Sequence, residues 1–145
     1  MARNSFSFSV FGINPAPQGS KKYVGTRRTA LGNNIPLIVE SSAALPAWRK
    51  AVAEAVQQAM TDSEDFSKFD SAVRVDAVFY MRKPRTVTRQ YPQTPPDIDK
   101  VCRSLLDAVT KGGVWVDDAL VVELHAVKTW AVNEPGVIVT ITKIG

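Results

Sequence analysis

Alternating hydrophobic and polar residues predict β-strands at two places in the chain. Phe6, Phe8 and Val10 alternate with serines in segment 4–13, and valines alternate with polar residues in segment 71–81. A period of two is typical of a half-buried strand. Three further segments, 35–40, 120–130 and 136–144, also predict strands, and turn formers at 133–136 predict that the last two make a hairpin.

Two other segments repeat hydrophobic residues at helical spacing. The first runs to about Met60 and begins with Pro46, which suits a first turn, after two serines that offer capping hydroxyls at positions 41 and 42. The second begins at Ile98 and stops at Gly112 and Gly113, and Ser104 is expected on its polar face. The resulting order predicts an α+β fold: one small domain with a mixed sheet of about five strands and two main helices packed on one face.

The overall composition is that of an ordinary globular protein. With 145 residues, of which 45% are hydrophobic and 22% charged, the chain is expected to fold as one domain over residues 1–145. Cys102 is the single cysteine, so an internal disulfide and a cysteine-based zinc cluster are excluded. Because no long apolar run and no secretory signal are seen, we expect a soluble, cytoplasmic protein with no membrane partner.

Positive charge is concentrated in two stretches that predict basic, substrate-binding loops at 14–34 and 82–96. Residues 1–39 contain five basic residues and residues 77–96 contain four, and neither stretch contains an acid. This pattern favours a cationic surface for nucleic acid, although a solvated face would also explain it. The residues expected to contact the DNA backbone from these stretches are Lys21, Lys22, Arg85 and Arg89.

Four aspartates around the second helix are the strongest candidates for chemistry. Asp97 and Asp99 stand where the helix begins, and Asp117 and Asp118 follow its glycine end. Capping would explain one aspartate at a helix start, and a turn would explain an Asp-Asp pair. In close proximity, however, Asp97, Asp99 and Asp118 would repel one another unless a divalent cation lay between them. Carboxylate oxygens suit Mg²⁺, so we expect these three aspartates to hold Mg²⁺, with Mn²⁺ as a candidate substitute.

Neighbouring side chains in an extended segment point to opposite faces, so we expect one residue of the pair Asp117 and Asp118, and not both, to contact the metal. Arg103 is a candidate phosphate contact on the polar face of the helix. Its spacing from Asp99 and Asp107 also fits a ladder of surface ion pairs, each worth only ~0.3 kcal/mol.

Four further residues near these acids have simpler interpretations. Lys128, on the following strand, is either a second phosphate contact or an exposed side chain. Cys102 lies in the apolar stripe of the helix and Trp115 at its exit, so both are expected to be structural. His125 is a lone histidine on a predicted strand and is expected at a surface or an interface.

The segment from Asp97 to Leu124 closely resembles the core motif of RusA-type Holliday-junction resolvases, the small endodeoxyribonucleases of bacteria and their phages. That motif has Asp-x-Asp at a helix start, Leu-Asp-Ala-Leu within the helix, Trp-x-Asp-Asp, and a valine-rich strand. Here the corresponding residues are Asp97-Ile-Asp, Leu106-Asp-Ala-Val and Trp115-Val-Asp-Asp. The resemblance extends to Lys128 and is weaker in the first strand and in the loop that begins at Asn14.

This resemblance implies a Mg²⁺-dependent homodimer that binds four-way DNA junctions and nicks two opposed strands symmetrically, in DNA recombination and repair. It places Asp97, Asp99 and Asp118 on the family's metal-binding aspartates and Asp117 on a supporting acid. The relative implied is a phage-like member acting in the cytoplasm of a bacterial host.

Two departures from the family motif bear on the mechanism. The family's essential helix lysine falls on Arg103, which keeps the charge but cannot release a proton, so an electrostatic role survives and general acid chemistry does not. Pro96 stands where the family often has a basic residue, so we expect Arg89 or Lys100 to contact the phosphate instead.

Two other functions are consistent with parts of the sequence. A non-catalytic branched-DNA-binding protein, in which the aspartates are helix caps and turn residues, predicts no metal-dependent cleavage. A phosphatase or another small-molecule metalloenzyme is disfavoured by the basic loops and predicts no salt-sensitive affinity for DNA.

Overall fold

The computed structural model describes residues 4–18 and 43–145 with their side chains, and the backbone alone in two strands between them. The predicted α+β architecture is confirmed. The elements are β1 (Ser5–Phe11), β2 (Lys21–Arg28), β3 (Asn34–Glu40), α1 (Leu45–Asp62), β4 (Val73–Met81), α2 (Ile98–Gly112), a 3₁₀ turn (Asp118–Leu120), β5 (Val121–Trp130) and β6 (Gly136–Lys143). Within the described residues, no helix has the length and apolar character needed to span a membrane.

The main sheet has four strands in the order β1-β6-β4-β5, one fewer than predicted. Strand β5 runs parallel to β4, and the other neighbouring pairs are antiparallel. The predicted hairpin between β5 and β6 is wrong, because β4 lies between these two strands. The cause is burial: β6 has four buried residues and occupies the interior of the sheet, whereas β5 has none and forms an edge.

The predicted loop at 14–34 is also wrong in part, because Lys21–Arg28 forms strand β2. It pairs with β3 in a separate antiparallel two-stranded sheet, so β3 is not the fifth strand of the main sheet. The register shifts between Tyr23 and Thr26. A bulge of this kind interrupts the alternation of side chains, which explains why the sequence shows no period of two here.

The helix boundaries agree with the prediction, and the glycine end of α2 is confirmed. Gly113 has a φ of 93°, and its N–H donates to the carbonyl oxygens of Val109 and Thr110. Helix α1 has Pro46 in its first turn, but its capping residue is Ala44, which provides no side-chain hydrogen bond. The serines at positions 41 and 42 lie outside the described residues.

The hydrophobic core lies between one face of the main sheet and both helices. Register places buried residues of β1, β6 and β4 side by side, as in the row Phe8, Val139 and Ala77. Side chains from both helices complete the same core: Trp48, Val52 and Val56 from α1, and Val101, Leu105 and Val109 from α2. The sheet and α1 therefore provide a rigid support for α2.

Candidate active site

Helix α2 crosses over from β4 to β5, and Asp97 is its N-terminal capping residue. The carbonyl oxygen of Asp97 accepts hydrogen bonds from the N–H groups of Lys100 and Val101, both at 3.1 Å. Its carboxylate makes no capping hydrogen bond and instead lies 3.7 Å from the Nζ atom of Lys100. The capping interpretation is therefore wrong for the side chain of Asp97, which is exposed.

The two aspartates after α2 have different environments. Asp117 has an extended backbone, and its Oδ1 atom accepts a hydrogen bond of 3.1 Å from the N–H of Ala119. The structural interpretation of Asp117 as a cap is confirmed. Asp118 begins the 3₁₀ turn and lines a pocket together with Asp99. Asp118 is nevertheless close enough to Asp117 for a side-chain hydrogen bond, because it belongs to the 3₁₀ turn and not to an extended segment.

The pocket that Asp99 and Asp118 share lies between α2 and β5 and has a volume of about 490 Å³. We call it the α2–β5 pocket. It is lined by Ile98, Asp99, Cys102, Arg103, Leu106, Asp118, Leu124 and Ala126. Asp99 and Arg103 come from the exposed side of α2, and apolar side chains of β5 form the opposite wall. The pocket thus places two carboxylates and one guanidinium on an open surface that a large substrate can reach.

Negative charge dominates the electrostatics of this pocket. The pKa of Asp118 is raised by partial burial, by a hydrogen bond to Asp117, and by the negative charges of Asp117 and Asp107. The pKa of the Cys102 thiol is raised to about 11, mainly by burial and further by the charge of Asp99. A cation placed among these groups would relieve the repulsion.

Arg103 is the cation that lines the α2–β5 pocket. The predicted ladder of ion pairs is wrong, because the Asp107 carboxylate instead pairs with Arg49 of α1 at 3.2 Å. Among the described residues, Arg103 forms no ion pair with Asp99 or with any other carboxylate. Its exposed guanidinium is therefore available for an anionic group of a substrate.

The predicted meeting of three aspartates does not occur among the residues that the structure describes. There, no group of three or more acidic, histidine or cysteine side chains lies close enough together to hold a metal ion. Asp99 and Asp118 share the pocket, but the Asp97 carboxylate is directed to Lys100. Close carboxylates repel, and the Lys100 ammonium group offers Asp97 a favourable partner.

The donor set nevertheless fits a hard divalent cation. The carboxylates of Asp99 and Asp118 offer oxygen ligands, and the pKa of Asp118 is raised by burial and by the neighbouring acids Asp117 and Asp107. Asp97 is exposed and one residue from Asp99, so a change of side-chain rotamer alters where its carboxylate lies.

Comparison with known proteins identifies the family. A family model described as endodeoxyribonuclease RusA matches residues 13–142, which is most of the chain. The chain belongs to the RusA family. The resemblance to RusA-type resolvases is thereby confirmed, and the protein is an endodeoxyribonuclease, an enzyme that hydrolyses phosphodiester bonds in DNA. Among curated proteins, none matches the chain significantly.

RusA-type resolvases generally depend on a divalent metal, which agrees with the oxygen donors described above. The match extends over α2 and the Asp117-Asp118 pair, and therefore over every wall of the α2–β5 pocket. This RusA-family chain thus has the carboxylates of its candidate active site within the region that defines the family.

Residues 82–96 of this RusA protein form neither helix nor strand, and their binding of substrate stays a prediction. Arg85 is exposed, whereas the Arg89 guanidinium lies over the Trp130 ring, 6.0 Å from its centroid. The Trp130 indole N–H donates to the carbonyl oxygen of Arg89 at 3.1 Å, and Arg89 donates to the hydroxyl of Thr94 at 3.3 Å. Sequence analysis missed Trp130, although an aromatic residue facing a basic loop signals such a contact.

Lys128 is half-buried, so the prediction of a simply exposed side chain is wrong. Its Nζ atom donates to the carbonyl oxygens of Pro96 at 2.8 Å and Thr94 at 3.1 Å. It therefore holds the end of the basic loop, directly before Asp97. The other predicted DNA contact in this area, Lys100, is half-exposed and paired with Asp97.

The first basic stretch begins on the surface of α2. The hydroxyl of Ser104 donates to the carbonyl oxygen of Ala16 at 2.6 Å, and the N–H of Gln18 donates to the carbonyl oxygen of Lys100 at 3.0 Å. Ser104 is fully buried, so its expected place on the polar face is wrong; its spacing from Val101 and Ala108 marks the apolar side. Lys21 and Lys22 lie on β2, and their side chains are outside the described residues.

Proposed function

We propose that this RusA-family enzyme resolves four-way DNA junctions by paired, symmetric cleavage, using Mg²⁺ held by Asp97, Asp99 and Asp118. The observation that carries the proposal is the presence of Asp99, Asp118 and Arg103 on the walls of one open pocket. The family supports endonuclease action on Holliday junctions. The choice of Mg²⁺ rests on the oxygen donors of the site, and Mn²⁺ is the alternative.

The chain's own residues divide the work of hydrolysis between them. Asp99 and Asp118, which both line the pocket, would hold the cation, and Asp97 would join them once its carboxylate leaves Lys100. When bound, a divalent cation promotes attack by water and offsets the charge that develops on the phosphate. Arg103 orients the scissile phosphate and stabilises its added negative charge. A guanidinium is permanently protonated, so Arg103 acts by charge and not by proton transfer.

The DNA approaches along the basic residues that border this site. In the loop at 82–96 these are Arg82, Lys83, Arg85 and Arg89, all of them exposed. Segment 14–18 leads from α2 towards Lys21 and Lys22, and Lys100 becomes free to bind phosphate when Asp97 moves to the cation. Contacts of these kinds position a DNA backbone without reading its sequence.

Symmetric cleavage of two opposed strands requires two active sites related by a two-fold axis. A C2 homodimer supplies this arrangement. We therefore include a homodimer in the proposal, acting on branched DNA in recombination and repair.

The non-catalytic alternative receives support at one residue. Asp117 is a turn cap, as that alternative requires, but Asp97 makes no capping bond with its side chain.

A cleavage assay tests the proposal directly. Purified protein is incubated with a synthetic four-way junction, a matching linear duplex and a flap, each with EDTA, Mg²⁺ or Mn²⁺. We expect paired nicks in the junction with Mg²⁺, and little cleavage of the duplex. Asp99→Asn should lower the rate by more than about 100-fold, because loss of a ligand exceeds the effect of losing an outer partner. Glu54→Gln on the exposed side of α1 is the matched control.

Binding and folding measurements separate the outcomes. Asp99→Asn should bind the junction in EDTA at least as well as the wild type, since it removes a negative charge beside the phosphate. Metal-independent cleavage, or full activity of a folded Asp99→Asn variant, would contradict the proposed metal site. Preferential cleavage of the flap would show that the flap, and not the four-way junction, is the substrate.

A further inference from the structure

Lys128 lies on strand β5 and contacts the residues that directly precede helix α2. It is paired in register with Phe79, a fully buried residue of β4, so its backbone belongs to the rigid part of the fold. From there its ammonium group reaches the Pro96 and Thr94 carbonyl oxygens at 2.8 and 3.1 Å. Pro96 is bonded directly to Asp97, the first of the proposed metal ligands.

The segment held by Lys128 has few other means of attachment. Pro95 and Pro96 have no backbone N–H, so these residues can be anchored by hydrogen bonds only through their carbonyl oxygens. A lysine ammonium group has three donors and no acceptor, and Lys128 uses two of them on this segment. Among the described residues, Lys128 forms no ion pair with a carboxylate.

A second side chain of β5 holds the same loop. Trp130, two residues further on and therefore on the same face of the strand, donates to the carbonyl oxygen of Arg89. Strand β5 thus fixes the loop in its middle and at its end. The contact at the end lies directly before Asp97, the N-terminal capping residue of α2.

We propose that Lys128 is a positioning residue that orients Asp97 for binding of the divalent cation, and that it does not contact DNA phosphate. This inference rests on the proposed function in its reference to the cation. The ammonium group fixes two carbonyl oxygens before Asp97, and the carbonyl of Asp97 in turn accepts the Lys100 and Val101 N–H groups. Loss of Lys128 therefore loosens the first turn of α2, and the cation then has to order Asp97 as it binds.

Metal-free hydrogen exchange tests the positioning role by itself. The amides of Lys100 and Val101 report on the Asp97 carbonyl, because both donate to it. In Lys128→Met, we expect these amides to exchange at least tenfold faster, with no change in the β4 amides. Lys128→Arg should restore slow exchange, because it keeps the charge and the donors. Unchanged exchange in Lys128→Met would overturn the inference, whatever the activity of the wild type.

Cation and DNA binding then distinguish positioning from phosphate contact. We expect Lys128→Met to bind Mn²⁺ at least tenfold more weakly by titration calorimetry, and Lys128→Arg to stay near the wild type. The slope of log junction affinity against log salt concentration should not change in Lys128→Met. A slope shallower by about 0.9 would identify a lost phosphate contact and overturn the inference.

Two controls complete this design. Lys111→Met, in the last turn of α2, is expected to leave hydrogen exchange, Mn²⁺ affinity and the salt slope unchanged. If Lys128→Met does not fold, Lys128→Gln replaces it as the variant that removes the ammonium group. If the wild type itself binds no divalent cation, the proposed function fails, while the exchange measurement still decides whether Lys128 positions Asp97.

Discussion

At the scale of single residues, the surroundings of Asp118 disfavour the ionised form of its carboxyl group. Partial burial, Asp117 and Asp107 all raise its pKa above the ordinary value of 3.8. A raised pKa means that the ionised form is less stable in the folded chain than in the unfolded chain. The charge of Asp118 therefore lowers the stability of the metal-free protein, which is consistent with a residue retained for binding and not for folding.

Replacing this carboxylate should stabilise the metal-free protein. Below the pKa that Asp118 has in the unfolded chain, Asp118 is protonated in both the folded and the unfolded chain. Between that pKa and the higher pKa of the folded chain, the folded chain binds more protons than the unfolded chain, so the free energy of unfolding of the wild type falls as pH rises. We expect Asp118→Asn to have the larger free energy of unfolding at pH 7 in EDTA. The difference should vanish below about pH 3.8, where the wild type has lost its charge. Urea denaturation at several pH values measures this.

Mg²⁺ provides the complementary measurement at pH 7. It should raise the Tm of the wild type more than that of Asp118→Asn, because a ligand stabilises the state that binds it. Glu54→Gln is the control, since it removes an exposed carboxylate of a different helix, α1. Equal free energies of unfolding of the wild type and Asp118→Asn at pH 7 would show that the charge of Asp118 does not destabilise the metal-free protein.

The candidate residues could be found from the sequence because aspartates at a helix start and after a glycine end are visible in one dimension. Their orientation could not. Whether Asp97 faces Asp99 or Lys100 depends on the balance of charges in the folded chain, and the partners of Lys128 lie more than thirty residues away. The prediction for Ser104 is wrong because the carbonyl oxygen that accepts its hydroxyl, that of Ala16, lies 88 residues away in sequence.

At the scale of elements, α2 depends on a segment far away in sequence for part of its packing. The hydroxyl of Ser104 donates to the carbonyl oxygen of Ala16, within a buried contact. Arg49 of α1 reaches both the Gln18 side chain and Asp107. Segment 14–18 is therefore held between the two helices, and the first basic stretch starts from a fixed point.

Removing the Ser104 hydroxyl should weaken this attachment. Ser104→Ala leaves a buried carbonyl oxygen without its donor, at a cost of about 1–3 kcal/mol in the free energy of unfolding. Urea denaturation measures the loss, and Ser67→Ala on an exposed connector should stay within about 0.5 kcal/mol of the wild type. A loss below that limit for Ser104→Ala would indicate that water replaces the hydroxyl.

Most of the elements themselves could be predicted, since periodicity and glycine signals are local. The pairing of strands could not, as β5 and β6 show. Their short connection favours a hairpin, but the buried residues of β6 require an interior position between β1 and β4. Strand β2 was missed because a bulge removes the alternation that would reveal it.

At the scale of the whole molecule, the basic loop at 82–96 lies at one end of the main sheet. The loop at 82–96 follows the last residue of β4, whereas Lys143 is paired with the first, Val73. Eight steps along this strand correspond to about 26 Å. Basic residues of the loop at 82–96 should therefore contact DNA that Lys143, at the other end of the sheet, does not reach.

Substitution at the two ends should therefore affect the salt dependence of junction binding differently. Arg85→Gln is expected to weaken binding to every branched substrate by a similar factor and to reduce the salt slope by about 0.9, the value for one phosphate contact. Lys143→Gln should leave the slope unchanged. Fluorescence anisotropy in EDTA between low and high salt measures both, and equal effects of the two substitutions would contradict a localised DNA surface.

The position of β6 also has a consequence for biosynthesis. A ribosome makes β1, β4 and β5 before it makes the strand that joins β1 to β4. Until β6 has left the exit tunnel, β1 lacks its partner in the main sheet and one edge of β4 is open. Formation of the native sheet must therefore wait until translation has passed Lys143, and a nascent chain arrested at Trp130 should be readily degraded by proteases.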